Sequence, residues 1–289
     1  MSLALSIIGG GAMGSALLRG LIQSGLYEPT QVGLSEPNAS QAESLAQELG
    51  IQVLPDNHVA AEAEILILAI KPQVFPIIAA QLATSSPDLT HPDPTHLDPT
   101  HLNPAKTGLS GQSVISIMAG IRLQELTTAF PQRSVMRAMP NTPALVGAGM
   151  TALCGSPTVT PAQTQAATAI FEAVGSVLWL PESQMDAVTA LSGSGPGYIA
   201  VIAEALIDGG VRVGLARPVA TQLAIQTLLG TATLMQQENL HPAVLKDRVT
   251  SPGGTTIAGI NALEQGSLRA TLMQAVWVAW QRSQELGQL

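Results

Sequence analysis

Residues Leu5 to Gly20 read LSIIGGGAMGSALLRG, a short apolar run broken by three glycines and followed by a helix-forming stretch. Gly9, Gly11 and Gly14 fall on the first, third and sixth positions of a G-x-G-x-x-G fingerprint. The first position makes a tight turn out of the strand, the third lets backbone approach a pyrophosphate closely, and the sixth lets helix pack closely on strand. The spacing alone is a weak signal; the strand before it and the helix after it give it meaning. Together they predict a dinucleotide site at the start of that helix, where backbone N–H groups lack intrahelical partners.

Outward from this stretch, the helical pattern of AMGSALLRGLIQSG closes at Gly25. QVGLSEP follows as a second strand, ASQAESLAQELG as a second helix, and IQVLP leads into DNHVAAEAEILILAIKPQ, whose EILILAI is strand-sized. This is a βαβαβ layout on a parallel sheet. Ser113 to Met118 (SVISIM) and Ala148 to Leu153 (AGMTAL) add strands, with a short helix over Leu123 to Phe130 between them. From Pro161 onward helix formers dominate, in AQTQAATAIFEAVG, PVATQLAIQTLLGTATLMQQ and SLRATLMQAVWVAWQRSQEL. The expected fold is an α/β Rossmann-like N-terminal domain over 1–160 and an all-α C-terminal domain over 161–289. The helices are apolar on broad faces, which predicts dimerisation through them.

Thr84 to Gly111 interrupts this pattern with repeated prolines and an echo, DPTHL at Asp93 and again at Asp98. Proline denies the segment helix or central strand, so it reads as a surface insertion. His91, His96 and His101 recur every five residues, but a polar loop gives them no fixed geometry and no metal site is expected.

The chain has 289 residues and a formal charge of -8, with twelve Lys and Arg in all. That balance excludes nonspecific nucleic-acid binding, which needs a dense basic face. Cys154, the single cysteine, can form no internal disulfide and reads as a small buried residue. No unbroken apolar run approaches membrane-spanning length and MSLALSIIGGG is unlike a signal peptide, so the expectation is a soluble, cytoplasmic chain with no membrane partner.

Several residues then carry chemistry. Ser35 and Glu36 end the second strand, where a carboxylate accepts hydrogen bonds from the adenosine ribose and repels a 2′-phosphate, favouring NADH. Lys71 and Pro72 leave the strand EILILAI at the edge where open α/β sheets bind ligands. RAMPNTPALVGAG, Arg137 to Gly149, reads as a shaped loop leaving a strand. In SPGGTTIAGI, Ser251 to Ile260, Pro252 and the glycine pair break an incoming helix, and Thr255 and Thr256 read as caps for one starting at Ile257, a setting for a small anion. There is no HExxH and no paired carboxylate in a recognisable setting. A neutral glycine-threonine pocket suits hydride transfer, where the cofactor supplies the chemistry and the protein positions the acceptor.

IGGGAMG, AIKPQ, SIMAGI (Ser116 to Ile121), MPNTP (Met139 to Pro143), LSGSGPGY (Leu191 to Tyr198), DGGVRVGL (Asp208 to Leu215) and HPAVLKDRVTSPGGTTIAGI (His241 to Ile260) resemble the pyrroline-5-carboxylate reductase family, in family order along nearly the whole chain. The resemblance implies reduction of 1-pyrroline-5-carboxylate to L-proline, the last step of proline biosynthesis, with NADPH or alternatively NADH, by a homodimer that can assemble further into a homodecamer. It implies that Gly9, Gly10, Gly11, Ala12 and Met13 hold the pyrophosphate, that Asn57 approaches the adenosine, and that Ala69, Ile70, Lys71, Pro72, Met118, Ala119 and Gly120 line the nicotinamide end. Gly254, Thr255 and Thr256 would cradle the substrate carboxylate, Thr256 would stand near the ring nitrogen as the catalytic hydroxyl, and Ser251 would orient the loop. Glu36 departs from the Asn or Ser common in the family. Related reductases that work on carbonyls or alcohols use a helix-borne lysine, for which the helical half offers only Lys246, and a cofactor-binding scaffold without turnover would not need SPGGTT.

Overall fold

The computed structural model describes residues 3–83 and 111–287. The proline-rich insertion with His91, His96 and His101 lies outside the described residues, apart from Gly111. Strands β1 (Leu5–Ile8), β2 (Val32–Ser35), β3 (Gln52–Val53) and β4 (Ile65–Leu68) alternate with helices α1 (Ala12–Gln23), α2 (Ala39–Leu49) and α3 (Asn57–Ala61). Helix α4 (Phe75–Ala83) precedes the insertion. After it come β5 (Ser113–Ser116), α5 (Leu123–Ala129), β6 (Ser134–Met139), β7 (Gly149–Gly155), α6 (Pro161–Glu172) and β8 (Gly175–Trp179).

The eight strands form one sheet in the order β3-β2-β1-β4-β5-β6-β7-β8. All neighbours are parallel except β6 and β7. Successive side chains of a strand point to opposite faces. Leu5 and Ile7 therefore join one fully buried core with Leu17, Leu18 and Leu21 of α1. Ile8 joins a second core on the other face, with Leu66, Leu68, Phe75 and Leu126. Burial on both faces is why β1 and β4 read as apolar runs rather than alternating ones.

The chain divides into two compact units, Met1–Gly193 with Arg282–Leu289, and Ser194–Gln281. This differs from a boundary at 160/161. α6 is no part of a helical domain: Ala167, Ile170 and Phe171 are buried in the core beneath the sheet, and GSVLW forms β8, paired with β7 from Gly149↔Gly175 to Leu153↔Trp179. Helix α7 (Met185–Val188) and a π-helical turn, Thr189–Gly193, end the N-terminal segment of the first unit. Asn141 binds that turn, donating from Nδ2 to the Ser192 carbonyl at 3.2 Å and accepting from the Met150 N–H at 2.9 Å.

The second unit is helical: α8 (Gly195–Arg212), α9 (Arg217–Gln237), α10 (Pro242–Arg248), α11 (Thr255–Gln265) and most of α12 (Leu268–Leu286). Ala203, Ala220 and Ala224 are its only buried residues, while Leu223, Leu229, Met273 and Trp277 are at least half exposed. Among the described residues one helical run, Glu182–Arg212, is long and apolar enough to cross a membrane by length and composition. It escapes a search for unbroken apolar runs because glycines, serines and the carboxylates Glu204 and Asp208 are dispersed through it.

Candidate dinucleotide site and the glycine-threonine turn

Register brings the predicted residues to one edge. Ile8 pairs with Ser35 and with Leu68, and Leu68 pairs with Ser116, so Gly9, Glu36, Ala69 and Ile117 all emerge at the C-terminal ends of adjacent strands. A cleft of about 870 Å³ lies there, lined by Gly9, Gly11, Ser35, Glu36, Asn57, Ala69, Ile70 and Lys71 among others. Gly9 has φ +103°, and a Cβ on it would stand 2.5 Å from the Ala69 carbonyl oxygen. A Cβ on Gly14 would meet the Gly9 oxygen at 2.1 Å, whereas Gly11 has nothing within 4 Å. The three glycines thus serve the turn, the packing and the open approach in the way a bound pyrophosphate requires. The N-cap of α1, Gly11, has no side-chain cap, leaving the first-turn amides free for an anion. These residues fit a dinucleotide.

Glu36 is committed locally as well as facing the cleft: Oε2 accepts from the Gly10 N–H at 2.7 Å and Oε1 from the Asn38 N–H at 2.9 Å. The Ser35 hydroxyl donates to Asn57 Oδ1 at 2.7 Å, and Asn57 Nδ2 donates to Gln81 at 3.2 Å. Other expected contacts are not brought to this cleft. Gly10, Ala12, Met13, Pro72, Met118, Ala119 and Gly120 do not line it. Met13 is partly buried against the core, and Met118 is 3% exposed, its side chain turned into the second core, which leaves its backbone to face a ligand. The cleft also gathers Gln41, His58 and Gln81. Polar residues on helices carry no motif, and only the packing of α2, α3 and α4 beside the edge reveals them.

In the helical unit, α10 ends at Arg248, and Gly253, at φ +68°, turns the chain. The Gly254 N–H donates to the Ser251 carbonyl at 3.0 Å. Helix α11 starts at Thr255, two residues before the expected Ile257, and its N-cap is Gly254 without a side-chain cap. Thr255 and Thr256 are therefore first-turn residues rather than caps, because the extended Gly254 backbone already ends the turn. Their hydroxyls make no hydrogen bond among the described residues, and both side chains are exposed. Lys246 is held against Asp247 at 2.7 Å.

Two further groups carry no chemistry. Burial pushes the Cys154 thiol up to about 11, so it is not a thiolate at neutral pH. Among the described residues no group of three or more His, Cys, Asp or Glu could hold a metal ion.

A mostly parallel sheet with this glycine turn, followed by a helical unit, defines a Rossmann-type oxidoreductase using NAD(P)H. Residues 4–90 match the family described as NADP oxidoreductase coenzyme F420-dependent, and residues 182–286 match pyrroline-5-carboxylate reductase dimerisation. The chain is 46% identical over 288 residues to the pyrroline-5-carboxylate reductase of Synechocystis, covering 99% of each. Its fold matches the solved structure of a pyrroline-5-carboxylate reductase from Coxiella burnetii with a TM-score of 0.85 at 31% identity, covering 99% of both chains. It matches that of Plasmodium falciparum pyrroline carboxylate reductase with NADP bound with a TM-score of 0.81 at 28% identity, over 99% of this chain and 98% of that one. The chain belongs to the pyrroline-5-carboxylate reductase family.

Proposed function

We infer that the chain reduces 1-pyrroline-5-carboxylate to L-proline with NAD(P)H. The observation that carries the reading is likeness along the whole length, 99% of this chain and of a relative, so that the glycine turn of the first unit and the glycine-threonine turn of the second both fall within the matched length. Reduced nicotinamide, when bound, supplies the hydride. The protein's share is to hold, orient and complete the proton balance. Gly9 to Met13 would receive the pyrophosphate on the first-turn amides of α1, and Ser35, Glu36 and Asn57 the adenosine ribose. Ala69 to Pro72 and the backbone of Met118 to Gly120 would border the nicotinamide.

At α11 the amides of Thr255, Thr256 and Ile257 have no acceptor among the described residues, and a substrate carboxylate is a suitable partner for such a helix start. Ser251 shapes this turn through its carbonyl. An imine is already electrophilic, so no strong base is needed; the ring nitrogen must hold or receive one proton, which the Thr256 hydroxyl would orient. We take NADPH as the cofactor on the family match of residues 4–90, with NADH competing because Glu36 stands at the β2 end. The working species is a homodimer, and a decamer is its further assembly. The protein works in the cytoplasm, with neither nucleic acid nor membrane as partner. Purified protein given 1-pyrroline-5-carboxylate should consume NAD(P)H and yield proline; folded, cofactor-binding protein that forms no proline would overturn the reading.

A further inference from the structure

The turn between β1 and α1 is held by a residue outside the glycine fingerprint. Gly10 is buried, and side chains engage both its polar groups: its N–H donates to Glu36 Oε2 at 2.7 Å, and its carbonyl accepts from Gln41 Nε2 at 2.5 Å. Ser15 Oγ lies 3.3 Å from the same carbonyl but makes its shorter bond, 2.6 Å, to the Gly11 carbonyl. Gln41 is therefore the main partner. It stands half-buried in the first turn of α2, where its own N–H donates to Asn38 Oδ1 at 3.2 Å, and it lines the cleft.

The Gly10 carbonyl and the Gly11 N–H belong to one peptide plane and point in opposite directions. Holding the carbonyl on the α2 side aims the N–H away from it. Without a restraint that plane is free to rotate, because the two residues it joins are glycines, with no Cβ to limit the dihedrals. The N–H groups of Gly11, Ala12 and Met13 have no acceptor among the described residues, so their direction decides what the helix start can bind. We propose that Gln41 is a positioning residue for the pyrophosphate: its grip on the Gly10 carbonyl fixes the Gly10–Gly11 peptide so that the Gly11 amide joins the first-turn donors. This rests on the cleft being a dinucleotide site.

Gln41→Met keeps length and volume while deleting the donor, and Gln41→Glu sets an acceptor against the carbonyl. The probes are ADP-ribose, which carries the pyrophosphate, and adenosine, which does not, titrated into the whole protein by calorimetry and NMR. Gln41→Met should weaken ADP-ribose roughly fivefold to tenfold, the size of one lost hydrogen bond, and leave adenosine within about twofold. Gln41→Glu should weaken ADP-ribose further, and it carries the test if the methionine variant fails to fold. In steady state the cofactor KM should rise while kcat at saturation holds. Unchanged ADP-ribose affinity in both variants, or equal losses for ADP-ribose and adenosine, would overturn the proposal. Wild-type protein that binds no ADP-ribose would instead sink the dinucleotide reading itself, and this proposal with it.

Discussion

The two halves of the molecule solve the burial problem in opposite ways. In the sheet unit Leu5, Ile7, Leu17, Leu34, Leu66 and Ile115 are completely buried, so the edge carrying Gly9, Glu36 and Ala69 rests on a core completed within one chain. In Ser194–Gln281 only three alanines are buried, while Leu229 is 59% and Met273 67% exposed. At about 25 cal/mol per Å² of apolar surface, helices left so open gain little from packing within their own unit. A second copy is the natural cover, in keeping with the dimerisation family that residues 182–286 match. The cleft at the sheet edge should therefore be preformed in each protomer, whereas the order of the glycine-threonine turn should depend on assembly.

The sharpest way to break this contrast is to charge the exposed helical face. Leu229→Asp would put an unpaired carboxylate into the contact, at a cost of several kcal/mol, and should weaken dimerisation roughly 100-fold or more. Sedimentation at micromolar concentration should show a monomer with little proline formation, while ADP-ribose affinity stays near that of the wild type. A monomeric variant of full activity would erase the distinction between the halves.

A smaller effect sharpens it from the chemical side. Thr256→Val keeps the branched shape and deletes the hydroxyl, so packing and cofactor affinity should persist. Transition-state stabilisation should fall by roughly 1 to 3 kcal/mol, read as kcat/KM for pyrroline-5-carboxylate. Equal losses in that ratio and in cofactor affinity, or none in either, would make the α11 start an ordinary interhelical turn.

The same contrast explains what the sequence discloses. Strand, glycine turn and helix over Leu5 to Gly20 are local, and the functional glycines are legible because no other residue tolerates 2.1 Å and 2.5 Å approaches to backbone oxygens. β8 is illegible because GSVLW is a short edge strand whose sequence shows no polar-apolar alternation, and it gains its identity from a partner more than twenty residues away. Composition puts the domain boundary at 160/161, where helix formers begin, but α6 covers the sheet and the compact division comes at Gly193. The clamp on Gly10 is hidden for a related reason: a glutamine on a polar helix has no signature until α2 is folded beside the turn.

The smallest expected effect concerns cofactor choice, and it tests whether the sheet edge is as preformed as its burial suggests. Glu36 faces the cleft but already accepts the Gly10 and Asn38 amides, so its carboxylate is fixed rather than swinging in solvent. A fixed negative charge at the end of β2 repels a 2′-phosphate and still has lone pairs for ribose hydroxyls. Glu36→Ser should shift the ratio of kcat/KM values toward NADPH by about 1 kcal/mol, the scale of a partly exposed charge interaction. Because serine is too short to replace both amide contacts, the NADH value should fall in absolute terms as the turn loosens. A gain for NADPH with no loss for NADH would mean the turn keeps its shape without the carboxylate, on the hydrogen bonds that Gln41 and Ser15 make to the Gly10 carbonyl. An unchanged ratio would mean that the carboxylate serves the backbone alone and that the 2′ position is read elsewhere.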